Sequence, residues 1–292
     1  MGQQSAAWFR AGCVGLAVVA TSAVAAVLIA PNRFMSRDPN EQTVTARLRP
    51  PLTAVGTTQF VLGSDHLGRD VLSRLIFGAR MSLMMGGAAV VLSLGVGTTA
   101  GLVAGYSGGW VDRSIMRFVD VQMAFPFILL AIVVVGILGP SPGKVVLVIG
   151  VGGWVHFARV VRSEVLSLRE RAFIEAARAG GSGDARIIAR HVLPNVVPRV
   201  MVLATTALAY AIVAESSLSF LGVGIPPSTP SWGGMLADGR QYVDTAWWLA
   251  TFPGLCILLT ALTANLLGER VGGAWQRSYR RATIVGHGGA RG

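Results

Sequence analysis

The sequence predicts an all-α polytopic membrane protein of about six transmembrane helices, and three observations predict it. Of 292 residues, 52% are hydrophobic and only 13% are charged, where a soluble domain carries about a quarter. Residues 11–32, 81–111, 121–143 and 245–268 contain no Asp, Glu, Lys or Arg, and each is longer than the ~20 residues a helix needs to cross a bilayer. The charges cluster in the connections between these runs. A soluble core helix can be this apolar over ~10–14 residues, but not four times over more than twenty.

Two further stretches complete the set. Residues 145–158 are apolar except for His156, and 200–237 are interrupted only by Glu215. The expected spans are therefore 11–30, 81–105, 118–139, 144–162, 196–222 and 246–268. Gly and Pro occur inside them, as membrane helices tolerate. Arg10 followed by an apolar run resembles a secretory signal, but the run is longer than the ~7–15 residues of such a segment. An uncleaved first span is the expectation.

The formal net charge of +11 does not mark a nucleic-acid binder. The basic residues are Lys144 and 24 arginines, dispersed through the connections rather than gathered on one soluble face. With the N-terminus inside, 16 basic residues fall on the cytoplasmic side and 9 outside. The positive-inside rule thus predicts N-in and C-in. Trp8, Trp110, Trp247 and Trp275 fall near expected span ends, where an amphipathic ring suits the headgroup level; Trp154 falls mid-span and reads as packing. Cys13 and Cys256 both lie in apolar runs and read as packing residues. Four scattered histidines offer no ligand spacing, so no metal site is expected.

Three regions follow. Residues 1–80 hold the first span, an extracytoplasmic loop and a short amphipathic helix; 81–272 hold the transmembrane core; 273–292 form a basic cytoplasmic tail. The amphipathic helix is read from SDHLGRDVLSRLIFGAR, where Leu67, Val71, Leu75 and Ile76 recur at helical spacing and Arg69, Asp70 and Arg74 take the other face. It is expected to lie at the membrane surface. The connection 163–195 should be helix, turn, helix: SEVLSLRERAFIEAARAG, a break at Gly180-Gly181-Ser182-Gly183, then DARIIARHVLPN. Gly ends the first helix, Asp184 is placed to cap the second, and Pro194 marks the start of the next span.

That connection resembles the EAA loop of permease subunits of bacterial binding-protein-dependent ABC importers. The pattern is EAA, three residues, Gly, nine residues, Ile-x-Leu-Pro. Here it reads Glu175-Ala176-Ala177, three residues, Gly181, nine residues, His191-Val192-Leu193-Pro194. Only the Ile position departs, and His at that place is common in the peptide-transport branch. LGSDHLGRDVLSRLIFGARMSL, DRSIMRFVDVQMAFPFILLAI, ESSLSFLGVGIPPSTPSWGGML and FPGLCILLTALTANLLGE resemble the same branch, the C-type permeases of dipeptide, oligopeptide and nickel importers, in order over about residues 60–272.

The resemblance implies a permease subunit in the bacterial plasma membrane. It would form a pathway for dipeptides or short oligopeptides with a homologous permease subunit, the heterodimer being the usual case, and receive substrate from an extracytoplasmic binding protein. It implies that Glu175, Ala176, Ala177, Gly181, His191, Leu193 and Pro194 couple the chain to two cytoplasmic ABC ATPase subunits. The sequence has no GxxxxGK[ST] loop, so the chain is expected to be no enzyme and to hold no cofactor, with ATP and Mg bound by partner chains. A nickel chelate is the alternative cargo.

Glu215 is the one acid well inside a span, and an ionisable residue there is a functional candidate. It is read either as a pathway or gate residue or as a side chain bonding Ser216, Ser217 or nearby backbone. Asp120 is expected to pair with Arg117 one turn away. GIPPSTPSWGG, around Trp232, reads as a rigid turn-rich outer loop. Two other classes are weaker. An ion-coupled secondary transporter would show related halves and several intramembrane acids. An intramembrane protease would show a nucleophile–base pair or a metal motif at membrane depth.

Overall fold

The computed structural model describes residues 37–56 and 58–288. The expected first span at 11–30, with Trp8 and Cys13, lies outside the described residues. Helices dominate the described residues, with one small hairpin and irregular chain before residue 71. Strands β1 (Thr53–Val55) and β2 (Thr58–Phe60) pair antiparallel, Thr53 opposite Phe60. Then come α1 (Val71–Ser107), α2 (Gly109–Met123), α3 (Phe127–Leu138), α4 (Pro142–Arg169) and α5 (Ala172–Ala179). Helix α6 (Asp184–Ile187) runs through a π-helical turn, Ile188–Val192, into α7 (Leu193–Phe220). The chain ends with α8 (Trp232–Gly239) and α9 (Trp248–Gly288).

Four helical stretches among the described residues are long and apolar enough to cross a membrane: Val71–Ser107, Pro142–Arg169, Asp184–Phe220 and Trp248–Arg270. The bent pair α2 and α3 makes a fifth if counted as one span. The expected span at 118–139 is therefore not a continuous helix. It breaks at Ala124–Pro126, because Pro126 has no N–H to donate into a helix and disfavours helical backbone at Phe125 before it. Large apolar side chains such as Val91, Phe118, Leu129, Ile137, Leu147 and Leu258 stand exposed, as they do where the solvent is lipid.

The amphipathic surface helix expected before residue 81 does not exist as a separate element. Residues 64–70 precede α1 and residues 71–80 are its first turns; α1 runs on without a break, so the expected boundary at residue 80 falls inside a helix. At 1.5 Å per residue, 37 residues reach about 55 Å, well beyond a hydrocarbon core of ~30 Å. Asp70 is the N-cap of α1. Its carboxylate accepts the Ser73 backbone N–H at 2.8 Å and the Ser73 hydroxyl at 2.7 Å, satisfying a donor that a helix start leaves free.

Contacts divide the chain into two compact units. Among the described residues, the first draws on those from 37 to 89, 126–150 and 208–263. Its core gathers Val71, Leu75, Trp232, Met235, Ala246, Trp248 and Leu249. Both buried indoles find acceptors, Trp232 Nε1 on the Leu75 carbonyl at 3.0 Å and Trp248 Nε1 on that of Ser64 at 3.2 Å. Arg69 and Arg74, expected on a solvated face, are buried here. Arg69 pairs with Asp65 at 2.6 Å and with Asp238 at 3.6 Å, while Arg74 lies 3.7 and 3.9 Å from the same two carboxylates. Burial is tolerable because each charge has a partner.

The second unit draws on 90–125, 151–207 and the described residues from 264 to 288. Its core holds Val119, Trp154, Val155 and Ala158. A glycine seam runs along α1 at Gly97, Gly101 and Gly105. A Cβ on Gly101 would stand 2.7 Å from both the Ala158 carbonyl oxygen and Val161 Cβ, and one on Gly105 would stand 2.8 Å from Val165 Cβ. Small residues at this spacing let two membrane helices approach backbone to backbone. Trp154 packs as expected and donates Nε1 to Gln122 Oε1 at 2.8 Å. Asp120 pairs with Arg159 of α4 at 2.6 Å, not with Arg117.

Candidate functional site

The residues matching the EAA pattern form a helix–turn–helix whose underside is buried and whose upper side is open. Helix α5 has eight residues; Ile174 is fully buried, while Glu175 and Ala176 are exposed and Ala177 half-buried. Helix α6 anchors through Ile187 and the following turn through Val192, both fully buried. One apolar residue per short element thus holds each to the unit, and the polar and small residues between are left outside.

The turn explains the spacing from Glu175 to Gly181. Gly181 has φ of +77°, in the left-handed region where glycine carries no Cβ penalty. Its N–H donates to the Arg178 carbonyl at 2.9 Å, and the Ser182 N–H donates to the Ala177 carbonyl at 3.1 Å. These two bonds are the Schellman arrangement, with Gly181 at the residue just past the helix cap. An added Cβ would meet no atom within 4 Å, so the requirement is conformational and not steric.

Asp184 does not cap α6. The N-cap is Gly183, which makes no side-chain bond. The Asp184 carboxylate is occupied elsewhere: its Oδ1 accepts the Tyr106 hydroxyl at 2.8 Å. The Arg178 guanidinium sits 5.4 Å from the centroid of the same Tyr106 ring. Tyr106, with lesser help from the carboxylates of Asp184 and Glu175, holds the Arg178 pKa above its ordinary value. His191 and Leu193 are half-buried around the π-helical turn and Pro194 is exposed; the Asn195 side-chain amide returns to the His191 carbonyl at 2.6 Å.

Glu215 belongs to the other unit, and its side chain is fully buried. Its carboxylate accepts from Ser219 at 2.9 Å, Ser82 at 3.1 Å and Ser216 at 3.5 Å. Ser217, an expected partner, bonds the Val213 carbonyl instead. Ser82 Oγ also accepts the Trp232 backbone N–H at 3.3 Å, and Gly233 lets α8 lie against α7, since a Cβ there would stand 2.5 Å from Ser216 Cα. The outer segment GIPPSTPSWGG is thus a turn leading into a helix. Ser231 caps that helix by accepting the Gly234 N–H at 3.1 Å.

Sequence reasoning missed Ser82, Tyr106 and the Asp65–Arg69–Arg74–Asp238 group as interacting residues. Tyr106 carried a weak signal, a lone aromatic hydroxyl at the end of an apolar run next to Gly-rich residues. Among the described residues, no group of three His, Cys, Asp or Glu is placed to hold a metal ion. What the first unit offers chemically is a sealed carboxylate, and what the second offers is an exposed helix–turn on a firm base.

The profile of the family described as binding-protein-dependent transport system inner membrane component matches residues 97–281. The chain belongs to this family. This permease is 42% identical to the dipeptide transport system permease protein DppC of Alkalihalophilus pseudofirmus, over 88% of its own length and 82% of the relative's. It is 42% identical to the di/tripeptide transport system permease protein DppC of Pseudomonas aeruginosa, over 80% and 77%. It is 46% identical to the glutathione transport system permease protein GsiD of Escherichia coli, over 72% and 70%. It is accordingly a DppC-type ABC importer permease and a multi-pass membrane protein. The inward-facing MetNI methionine ABC transporter has the same fold, with a TM-score of 0.56 and 20% identity over 68% of this permease and 95% of the solved chain.

Proposed function

We propose that this permease is one transmembrane half of an ATP-driven importer of dipeptides or short oligopeptides in the bacterial inner membrane. It pairs with a homologous permease, takes substrate from an extracytoplasmic binding protein, and answers to two cytoplasmic ABC ATPases that bind ATP and Mg. Both termini and the 172–192 segment face the cytoplasm, and the Glu215 serine cage stands on the extracytoplasmic side as part of a gate. Relatives named for dipeptide, di/tripeptide and glutathione transport support the substrate class.

One observation carries the coupling role: α5 presents Glu175 and Ala176 outward while Ile174 beneath is fully buried. Alanine lets a partner backbone come close, Glu175 offers a carboxylate to a basic groove, and the Gly181 turn gives the plug its shape. ATPase closure can move the pathway only by a free-energy difference between its two states. A segment rigid at its base and open at its top is suited to deliver that difference.

The test is reconstitution of the complete complex in liposomes, with ATP hydrolysis and labelled-peptide uptake measured with and without the binding protein. Hydrolysis stimulated by loaded binding protein is expected, together with uptake that Glu175→Lys or Gly181→Asp abolishes while the protein remains inserted. Normal uptake by both variants refutes the coupling role. Uptake driven by a proton or sodium gradient without ATP refutes the importer.

A further inference from the structure

We infer that Tyr106 is a positioning residue for energy coupling: it clamps both arms of the coupling helix–turn–helix to the end of α1, giving the segment a second route into the membrane. This rests on the coupling role proposed for residues 172–192.

The segment needs such a clamp. Helix α5 has eight residues, far short of the ~12–15 at which an isolated helix is even marginal in water, and α6 is the first turn of the helical stretch that continues through the π-helical turn Ile188–Val192 into α7. The orientation of α5 is therefore set by tertiary contacts, and that of α6 by the π-helical turn and by what it touches. Buried Ile174 and Ile187 supply depth but no direction, since apolar contact is non-directional. Direction comes from polar contacts, and a single side chain supplies one to each arm. The Tyr106 hydroxyl donates to Asp184 on the first residue of α6 at 2.8 Å. The face of its ring carries the Arg178 guanidinium of α5 at 5.4 Å. A phenol is the one side chain that offers both a π face for a cation and a hydroxyl donor for a carboxylate.

Tyr106 is itself firmly placed. It is 8% exposed and stands one residue before the end of α1. The glycine seam seats that end of α1 directly on α4, with Gly101 against Ala158 and Val161 and Gly105 against Val165. Arg169 of α4 adds a bond from Nη1 to the Gly105 carbonyl at 3.4 Å, and Arg162 of α4 bonds Asp112 of α2, with Nη2 to Oδ2 at 2.6 Å. A push on α5 and α6 therefore reaches α1 through Tyr106 as well as α4 and α7 through the chain. Without the clamp, α5 can pivot on Ile174 and α6 can flex at the π-helical turn, and the stroke is absorbed there.

The test compares Tyr106→Phe, Tyr106→Leu, Asp184→Ala and the double variant Tyr106→Phe/Asp184→Ala in the reconstituted complex. The readout is labelled peptide imported per ATP hydrolysed, with ATPase co-purification as the control for assembly. Tyr106→Phe keeps the ring and the packing and loses only the hydroxyl. It is expected to lower the ratio about two- to tenfold, the factor carried by one intramolecular hydrogen bond. Asp184→Ala, which removes the acceptor, should do the same and the double variant no worse than either, because one bond is shared; Tyr106→Leu should lose more. Wild-type ratios in Tyr106→Phe and Tyr106→Leu, beside uncoupled Glu175→Lys and Gly181→Asp, overturn the inference alone. Wild-type ratios in all of them overturn the coupling role and the inference with it.

Discussion

Ser82 and Glu215 stand on different helices, and the Ser82 hydroxyl donates to the Glu215 carboxylate at 3.1 Å. The same Ser82 oxygen accepts the Trp232 backbone N–H at 3.3 Å. A carboxylate enclosed by Ser82, Ser216 and Ser219 thus holds α1, α7 and the start of α8 in one arrangement. The Glu215 side chain is fully buried among these hydroxyls and fastens the helices around it.

Replacing Glu215 by Ala leaves several buried hydroxyls without their acceptor. Each unsatisfied buried group costs about 1–3 kcal/mol, so Glu215→Ala should lower the melting temperature of the purified complex clearly. Glu215→Gln keeps the volume and one carbonyl acceptor and should fall by less. A Glu215→Ala variant that melts with the wild type would show that the cage contributes nothing to stability.

The glycine seam makes a position-specific prediction on one helix. Gly101→Ala forces a Cβ to 2.7 Å from the Ala158 carbonyl oxygen, and overpacking of this kind costs about 1–3 kcal/mol. Gly95, two residues before the seam begins, has no atom within 4 Å of an added Cβ. Gly95→Ala should therefore be neutral or gain up to ~1 kcal/mol of helix propensity. Paired thermal unfolding of the two variants in detergent checks this; equal shifts would remove the seam as the reason for the glycines.

The buried ion group should be asymmetric. Arg69→Met takes away the 2.6 Å partner of Asp65 and leaves that buried carboxylate with Arg74 at 3.7 Å as its cation. Breaking a buried pair costs about 3–5 kcal/mol, and the remaining cation should keep the loss near the lower end. Asp238, whose side chain is 34% exposed, can be hydrated, so Asp238→Asn should cost much less. Expression and melting of the two variants measure the difference. An Asp238→Asn loss equal to that of Arg69→Met would mean that solvent does not reach Asp238.

Local signals were readable where local physics decides. Gly181 could be placed as a helix-ending residue because a left-handed backbone just past a helix is a property of a few consecutive residues. Trp154 could be read as packing because it falls mid-span. The break at Pro126 was also written in the sequence, and the length of apolar chain around it concealed it. By contrast, Asp120 with Arg159, Asp184 with Tyr106, and Arg74 with Asp65 and Asp238 are choices among partners. Periodicity placed Arg69 and Arg74 on a polar face, and that face turned out to be covered.

By itself the sequence determined the helical membrane character of this permease, the rough place of the long apolar helices among the described residues, and the spacing of the EAA-like pattern. Those follow from run length against bilayer thickness, and from residue order over one or two turns. Tertiary structure alone decided that Asp65, Arg69, Asp70 and Arg74 are interior, that Glu215 is caged by serines from two helices, and that Tyr106 meets both arms of the 172–192 segment. Each of these depends on which helix faces are brought together, and a buried charge or hydroxyl bonds whatever that packing sets within its reach.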